Sequence, residues 1–235
     1  MQSPTVERMD YAREKISLWS THPYRLKAAS KEPWTVAFIE QMPAGAVLWD
    51  IGANVGSYSL IAAKLGHPVV AVEPAYMNYS DLVRNSILNR VNEKVIALPF
   101  ACGAGNGLEW LQLSSTASGA ASHTLGQPMN NGNRPMFFHR VGVICMRVDQ
   151  LSAAFGLPAP QFVKIDTDGN ELQVLAGFGD LAKGVAAMMI ETPDKNEAAT
   201  REVLNGWGLV QQARIAERDG KPILGLSYGY WVRPA

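Results

Sequence analysis

The sequence predicts an α/β domain with a mainly parallel sheet, helices on both faces and a C-terminal antiparallel hairpin. Three observations lead there. Between residues 46 and 206, short apolar runs alternate with helical stretches, the pattern of βαβ units. A glycine-containing turn, Asp50-Ile51-Gly52-Ala53-Asn54-Val55-Gly56, follows the first of those runs, where parallel sheets bind ligands. The 235 residues, 47% of them hydrophobic, suffice to bury one large core.

On this reading residues 1–42 form a helical N-terminal extension and residues 43–235 the main domain, with an insertion at about 108–140. In the extension, Ser3 and Pro4 suit cap and first-turn positions, and Val6, Met9, Ile16 and Trp19 are spaced for one apolar helix face. A second helix, roughly residues 34–42, runs into the Pro43-Ala44-Gly45 turn. Strands are then expected at 46–50, 68–73 and 94–98, with helices at 56–65 and 76–91. Residues 108–113 read as an inserted strand. Residues 114–140, rich in Ser, Gly, Asn and Pro, read as a long substrate-facing loop, because loops of that length inside compact domains are often functional. The parallel pattern resumes with strands at 141–148, 161–165 and 185–191, a short helix around Leu151, and helices at 171–178 and 195–206. Residues 209–215 and 224–232, joined through Asp219-Gly220, read as a hairpin.

Composition excludes several classes. Lys plus Arg balance Asp plus Glu at 21 each, so no global field draws a polyanion and no nucleic-acid partner is expected. No apolar run approaches the ~18 residues a membrane helix needs, so no membrane span is expected. Cys102 and Cys145 form no CxxC pair, which points to reduced core residues rather than a disulfide framework or thiolate metal site. Residues 1–10 are polar and lack the apolar stretch of a secretory signal, so the expected location is the cytoplasm.

The turn after the first strand chooses between cofactors. A dinucleotide fingerprint needs GxGxxG, but Asp50 stands in place of the first glycine and Val55 in place of the third. The Walker pattern GxxxxGK[ST] is absent. A carboxylate at Asp50 repels a pyrophosphate but attracts the ammonium or sulfonium of S-adenosylmethionine. Gly52 and Gly56, lacking Cβ, are expected to let the backbone approach that ligand, with Ala53, Asn54 and Tyr58 beside it. Glu73, 21 residues after Gly52 at the end of the second strand, is placed to accept the ribose hydroxyls. Pro74 fixes the turn that follows. Ala101 and Cys102, after the third strand, are expected at the adenine.

The run Asp50-Ile-Gly-Ala-Asn-Val-Gly-Ser-Tyr-Ser59, then Val72-Glu73-Pro74, Asn85-Ser-Ile-Leu-Asn89, and Phe162-Val-Lys-Ile-Asp-Thr-Asp-Gly-Asn-Glu-Leu172 resembles the FkbM family of methyltransferases. Val148-Asp149-Gln150-Leu151 fits between them. The resemblance covers roughly residues 47–192. It implies a Rossmann-like class I methyltransferase fold, S-adenosylmethionine as cofactor, and O-methylation of a hydroxyl on a sugar, polyketide or other small metabolite. The family often has an acid where Thr167-Asp168 stand, and Asp168 keeps it. The N-terminal extension and residues 126–134 fall outside the resemblance and are the segments expected to choose the acceptor.

The second acidic segment, Lys164 to Glu171, ends the fourth parallel strand and should face the transferring methyl. A hydroxyl acceptor must be aligned and must lose its proton as it attacks. Asp166 and Lys164 lead the candidates for that work, followed by Glu191 at the next strand end and by His123 and His139 near the long loop. Competing with these roles, Asp166 or Asp168 can cap the following helix, Lys164 can pair with Asp166, and His67 reads as structural. Asp166, Asp168 and Asn170 alternate as in a calcium loop, but Glu171 occupies the glycine position and Gly177 that of the bidentate acid, so no metal is expected. An N-methyltransferase acting on a base would want an Asn/Asp-Pro-Pro-aromatic motif where Asp166-Thr-Asp-Gly stands. The alternatives are a non-catalytic module that binds the cofactor and a nicotinamide-dependent oxidoreductase, which the displaced glycines oppose. The expected partner is a small hydroxylated acceptor, with a homo-oligomer formed through the N-terminal helices.

Overall fold

In the computed structural model of the protein, the described residues are 5–20, 22–126, 130–131, 134–135 and 139–234. The chain opens with β1 (Thr5–Arg8) and β2 (Ser17–Ser20), then three short helices, α1 (Pro23–Leu26), α2 (Ala28–Lys31) and α3 (Pro33–Glu40). Next come β3 (Leu48–Ile51), α4 (Ser57–Lys64), β4 (Val69–Val72), α5 (Tyr76–Leu88) and β5 (Val95–Leu98). A group of strands follows: β6 (Ala101–Cys102), β7 (Gly107–Leu113), β8 (Thr124–Leu125), β9 (Asn130–Asn131), β10 (Arg134–Pro135) and β11 (His139–Met146). After these lie α6 (Val148–Phe155), β12 (Phe162–Ile165), α7 (Glu171–Ala176), β13 (Ala187–Pro193) and α8 (Glu197–Gly206). Strands β14 (Val210–Ile215), β15 (Glu217–Arg218), β16 (Lys221–Pro222) and β17 (Leu226–Val232) come last.

Apolar runs such as Val69-Val-Ala-Val72 suit strands covered on both faces, and these strands form the middle of a seven-stranded sheet ordered β14-β17-β13-β12-β3-β4-β5. The five strands from β13 to β5 are parallel, and β17 runs antiparallel between β13 and β14. Alternate residues feed opposite cores. Leu48, Val69 and Ala71 pack with Phe38, Leu60 and Leu82 on one face, while Trp49, Val70 and Val72 pack with Leu151, Val174 and Leu204 on the other. The terminal hairpin forms as expected, with the small β15–β16 ladder at its tip around Asp219-Gly220.

Two expectations fail. The first is the N-terminal helix through Val6, Met9, Ile16 and Trp19: β1 and β2 pair antiparallel instead, with Val6 opposite Trp19. The period that wins is two, since Ile16 and Leu18 are fully buried while Ser17 between them and Trp19 after them are half-buried. Ser3 and Pro4 lie outside the described residues. The free edge of β2 is satisfied by side chains of α5 and its C-terminal end. Asn89 accepts from Ser17 N at 2.9 Å and donates to Ser17 O at 2.7 Å, and Asn85 accepts from Trp19 N at 2.6 Å. The segment thus joins the main core, Ile16 and Leu18 included, and the helices of the N-terminal region are α1 to α3.

The second failure is the strand near 141–148, which does not extend the parallel sheet. Strand β11 pairs antiparallel with β7 and briefly parallel with β6, in a separate four-stranded sheet ordered β6-β11-β7-β8. Its alternation explains this: Val143 and Cys145 are buried, whereas Gly142 and Ile144 face out, the pattern of a sheet with one wet side. Asn85→Ala and Asn89→Ala should each cost about 1–3 kcal/mol, because each leaves β2 amides unpaired. Amide exchange confined to residues 5–20 rising with little change elsewhere is the expected readout.

Candidate functional site

In parallel sheets, ligands bind where the strand order reverses. Here the chain runs from β3 outward through β4 to β5, then returns to β12 on the other side of β3. The carboxyl ends of β3, β4 and β12 line a cavity with about 1080 Å³ of free space, its open mouth included. Register dictates the first contact there. Asp50 lies opposite Lys164, so their side chains leave the sheet on one face, and Lys164 Nζ stands 3.3 Å from Asp50 Oδ1. Asp50 Oδ2 accepts Ser59 Oγ at 2.6 Å. Asp50 is fully buried and is not among the residues that line the cavity, and its Oδ1 has no hydrogen-bond partner among the described residues. Its charge is spent on Lys164.

Lys164 also lies 3.6 Å from Asp166 Oδ2 and lines the cavity. Burial alone would strip its proton, but Asp50, Asp166 and Glu32 outweigh burial and hold its pKa above the usual lysine value. Lys164 therefore stays a cation and is removed from the candidate bases.

The turn above β3 is built for close backbone contact. Gly52 has φ +83°, and a Cβ there would overlap the carbonyl oxygen of Asp166, so glycine lets the first and fourth strand ends meet. Gly56, at φ +91°, caps α4 against the Leu82 side chain and does not line the cavity, so its role is packing rather than ligand approach. Asn54, with φ +53°, donates its N–H to Glu73 Oε2 at 2.8 Å, and Ala75 N donates to Oε1 at 2.9 Å. These bonds fix the Glu73 carboxyl at the cavity wall, which it shares with Pro74, Ala101 and Cys102. Burial nevertheless raises its pKa to about 7. Hydroxyl donors from a ribose would supply what that carboxyl lacks, so these residues fit a nucleoside.

Asp166, Asp168 and Glu191 converge at the same cavity, each offering an oxygen within 4.8 Å of the others. The trio differs from the Asp166–Asp168–Asn170 alternation, because Asn170 turns its amide to Cys102 O at 3.0 Å. Burial, reinforced by Asp166, raises Asp168 to about 7 and Glu191 to about 9. One oxygen of Asp168 accepts Ser122 N at 2.8 Å. At neutral pH Glu191 is protonated and Asp168 sits midway, poised to take a proton.

The two histidines separate. His139 is exposed on β11 and away from the cavity. His123 lines the cavity and is neutral, its pKa pushed to about 4 by burial and by Arg25. Its Nδ1 accepts Ser114 N at 3.3 Å, so its proton sits on Nε2, which is buried and has no partner among the described residues. His123 is thus a donor rather than a base. His67, as expected, is structural, with Nδ1 3.2 Å from Ala46 O.

Segments outside the sheet complete the site. Residues 118–123 run along the cavity, held by Asn78 Oδ1 on Gly119 N (2.8 Å), Asn54 Nδ2 on Ala120 O (2.8 Å) and a Ser118–Asp81 hydrogen bond. Arg25 and Lys31 enter from the N-terminal helices. Sequence reasoning missed Arg25, Asn78 and the poise of Asp168. Only the polar 114–140 loop gave a signal, and residues 121 and 123 within it do line the cavity.

A family model described as the methyltransferase FkbM domain matches residues 50–204. The chain is 26% identical over 153 residues to the hexuronic acid methyltransferase AglP of Haloferax volcanii, a match covering 65% of this chain and 58% of the relative. It therefore spans less than two thirds of that relative. Among solved structures, the tRNA m1G37 methyltransferase of M. jannaschii is similar at TM-score 0.52 and 10% identity, over 98% of this chain and 55% of that one. Trm5b of Pyrococcus abyssi is similar at TM-score 0.50 and 11% identity, over 98% and 56% respectively. These two likenesses concern the fold.

Asp50→Asn should destabilise the protein by about 3–5 kcal/mol by leaving Lys164 short of a buried partner. In denaturant melts, rescue by Lys164→Met in the same chain is expected. A second outcome concerns pH. Glu191 has a folded pKa of about 9 against an ordinary 4.5, so its contribution is complete below pH 4.5 and lost as pH rises through 9. The Tm of the ligand-free protein should fall between pH 7 and 9, and Glu191→Gln should remove most of that fall.

Proposed function

The chain belongs to the FkbM family of S-adenosylmethionine-dependent methyltransferases, and from that premise we propose that it methylates a hydroxyl oxygen of a sugar or similar small metabolite. The observation that carries this reading is the carboxyl trio at the cavity wall, with Asp168 near neutrality and Glu191 protonated. A hydroxyl nucleophile must shed a proton as it attacks, and a carboxyl with pKa about 7 is matched to accept it. An exocyclic amine would instead need paired carbonyl acceptors, and Asp166-Thr167-Asp168-Gly169 lacks the two prolines and the aromatic residue of the motif that presents them. The hexuronic acid methyltransferase relative supports a sugar-class acceptor.

Bound in the cavity, the cofactor supplies a methyl carbon already activated by its sulfonium. Glu73, its carboxyl fixed at the cavity wall, would accept the ribose hydroxyls. Asp166, drawn to Lys164, offers an oxygen to the ligand's ammonium. With the cofactor's methyl group as electrophile, Asp168 would take the proton that the acceptor hydroxyl loses on methylation. Protonated Glu191 and the Nε2–H of His123 donate to neighbouring oxygens of the acceptor and orient it in line. Residues 118–123 flank the acceptor and exclude water.

The test is a screen with radiolabelled methyl donor over monosaccharides, uronic acids, glycosides and small phenols. Label in a base-stable ether supports the reading. Label only in nitrogen or carbon products, or none with any hydroxyl acceptor, contradicts it. With a working acceptor, Asp168→Asn should lower kcat about 100-fold or more while leaving affinity for S-adenosylhomocysteine within about threefold.

A further inference from the structure

If Asp50 is occupied by Lys164, something else must read the charged amino-acid end of the cofactor. That end is a zwitterion, and its carboxylate needs a cation the protein has not already neutralised. Lys164 is held between Asp50 and Asp166. Lys31 gives its Nζ to the buried Glu32 at 2.8 Å. His123 is neutral. Arg25 remains: it lines the cavity, and among the described residues no carboxylate lies within ion-pair distance of it.

Its guanidinium is nonetheless fixed. Arg25 Nε donates to Gly119 O at 2.8 Å, and the Arg25 carbonyl accepts Ser57 Oγ at 3.3 Å, so the residue is anchored to both the 118–123 segment and the start of α4. Its terminal Nη groups have no partner among the described residues. Its positive charge is felt at Tyr58, Glu73 and Asp168, which line the same cavity. A fork with one edge tied and the other open is the geometry that binds a carboxylate through two parallel hydrogen bonds.

We propose that Arg25 is a cofactor-binding residue whose open guanidinium edge holds the α-carboxylate of the methionine moiety, while Asp166 holds the ammonium. The inference rests on the cofactor and is independent of the acceptor. It also explains what the N-terminal segment contributes, since α1 delivers the residue that closes one end of the site and the Gly119 bond couples that closure to the 118–123 segment.

Calorimetric titration with two ligands tests it: S-adenosylhomocysteine and its decarboxylated analogue, which keeps the amine. The native protein should bind the first about tenfold more tightly or better. Arg25→Ala should erase that preference by weakening the first ligand alone, with the analogue changed less than about threefold. Arg25→Lys should recover part of it, because the charge stays and the fork is lost. Equal loss of both ligands in Arg25→Ala means a structural role and overturns the proposal. So does an unchanged preference, the result expected if the guanidinium serves an acceptor's carboxylate instead. If Arg25→Ala does not fold, Arg25→Gln is read in the same way. A native protein that binds neither ligand overturns the cofactor assignment itself, an outcome distinct from a failure of Arg25.

Discussion

The site depends on one buried ion pair. Strand register sets Lys164 of β12 beside Asp50 of β3, and the 3.3 Å contact between them puts a permanent cation under the cavity. Without Asp50, Lys164 would lose one of the three carboxylates that hold its proton against burial, and the carboxyls on the neighbouring strand ends would face a weaker compensating charge. With it, Asp166 is drawn toward Lys164, while Asp168 and Glu191, which make no ion pair with that cation, hold protons more tightly. One pairing between adjacent strands thereby sorts the acids of the site into different protonation states.

The same pair shows how far the sequence could be read. Asp50-Ile-Gly-Ala-Asn-Val-Gly marked the correct turn, the correct switch point and the correct cofactor family, because glycine spacing and strand periodicity are local properties. Which way Asp50 faces is a property of two strands 114 residues apart, those of Asp50 and Lys164, and no local pattern carries it. Glu73 was legible because its place at a strand end is itself a local feature. Gly56 was legible as a required glycine but not for its reason, the Leu82 side chain of a later helix. His123 and His139 looked alike in sequence. Burial and a serine amide made one a cavity donor, and a solvent-facing strand position set the other aside.

The N-terminal segment failed for a related reason. Val6, Met9, Ile16 and Trp19 satisfy a helical spacing, yet Ile16 and Leu18 satisfy a strand spacing, and the tie was broken by Asn85 and Asn89 at a distant helix. Those amides complete the edge of β2 as a neighbouring strand would. They hold the segment against the domain, so that α1 and α2 can bring Arg25 and Lys31 to the cavity. The extension lies outside the matched family region, and it meets the 118–123 segment at the Arg25–Gly119 bond. The cavity is thus walled jointly by the shared sheet edge and by the segments packed around it.

The most direct test of this arrangement is a crystal structure with S-adenosylhomocysteine bound. Ribose hydroxyls on Glu73, the amine on Asp166, and Asp50 still paired with Lys164 and out of reach of the ligand are the expected result. A ligand amine resting on Asp50, with Lys164 swung away, would contradict it.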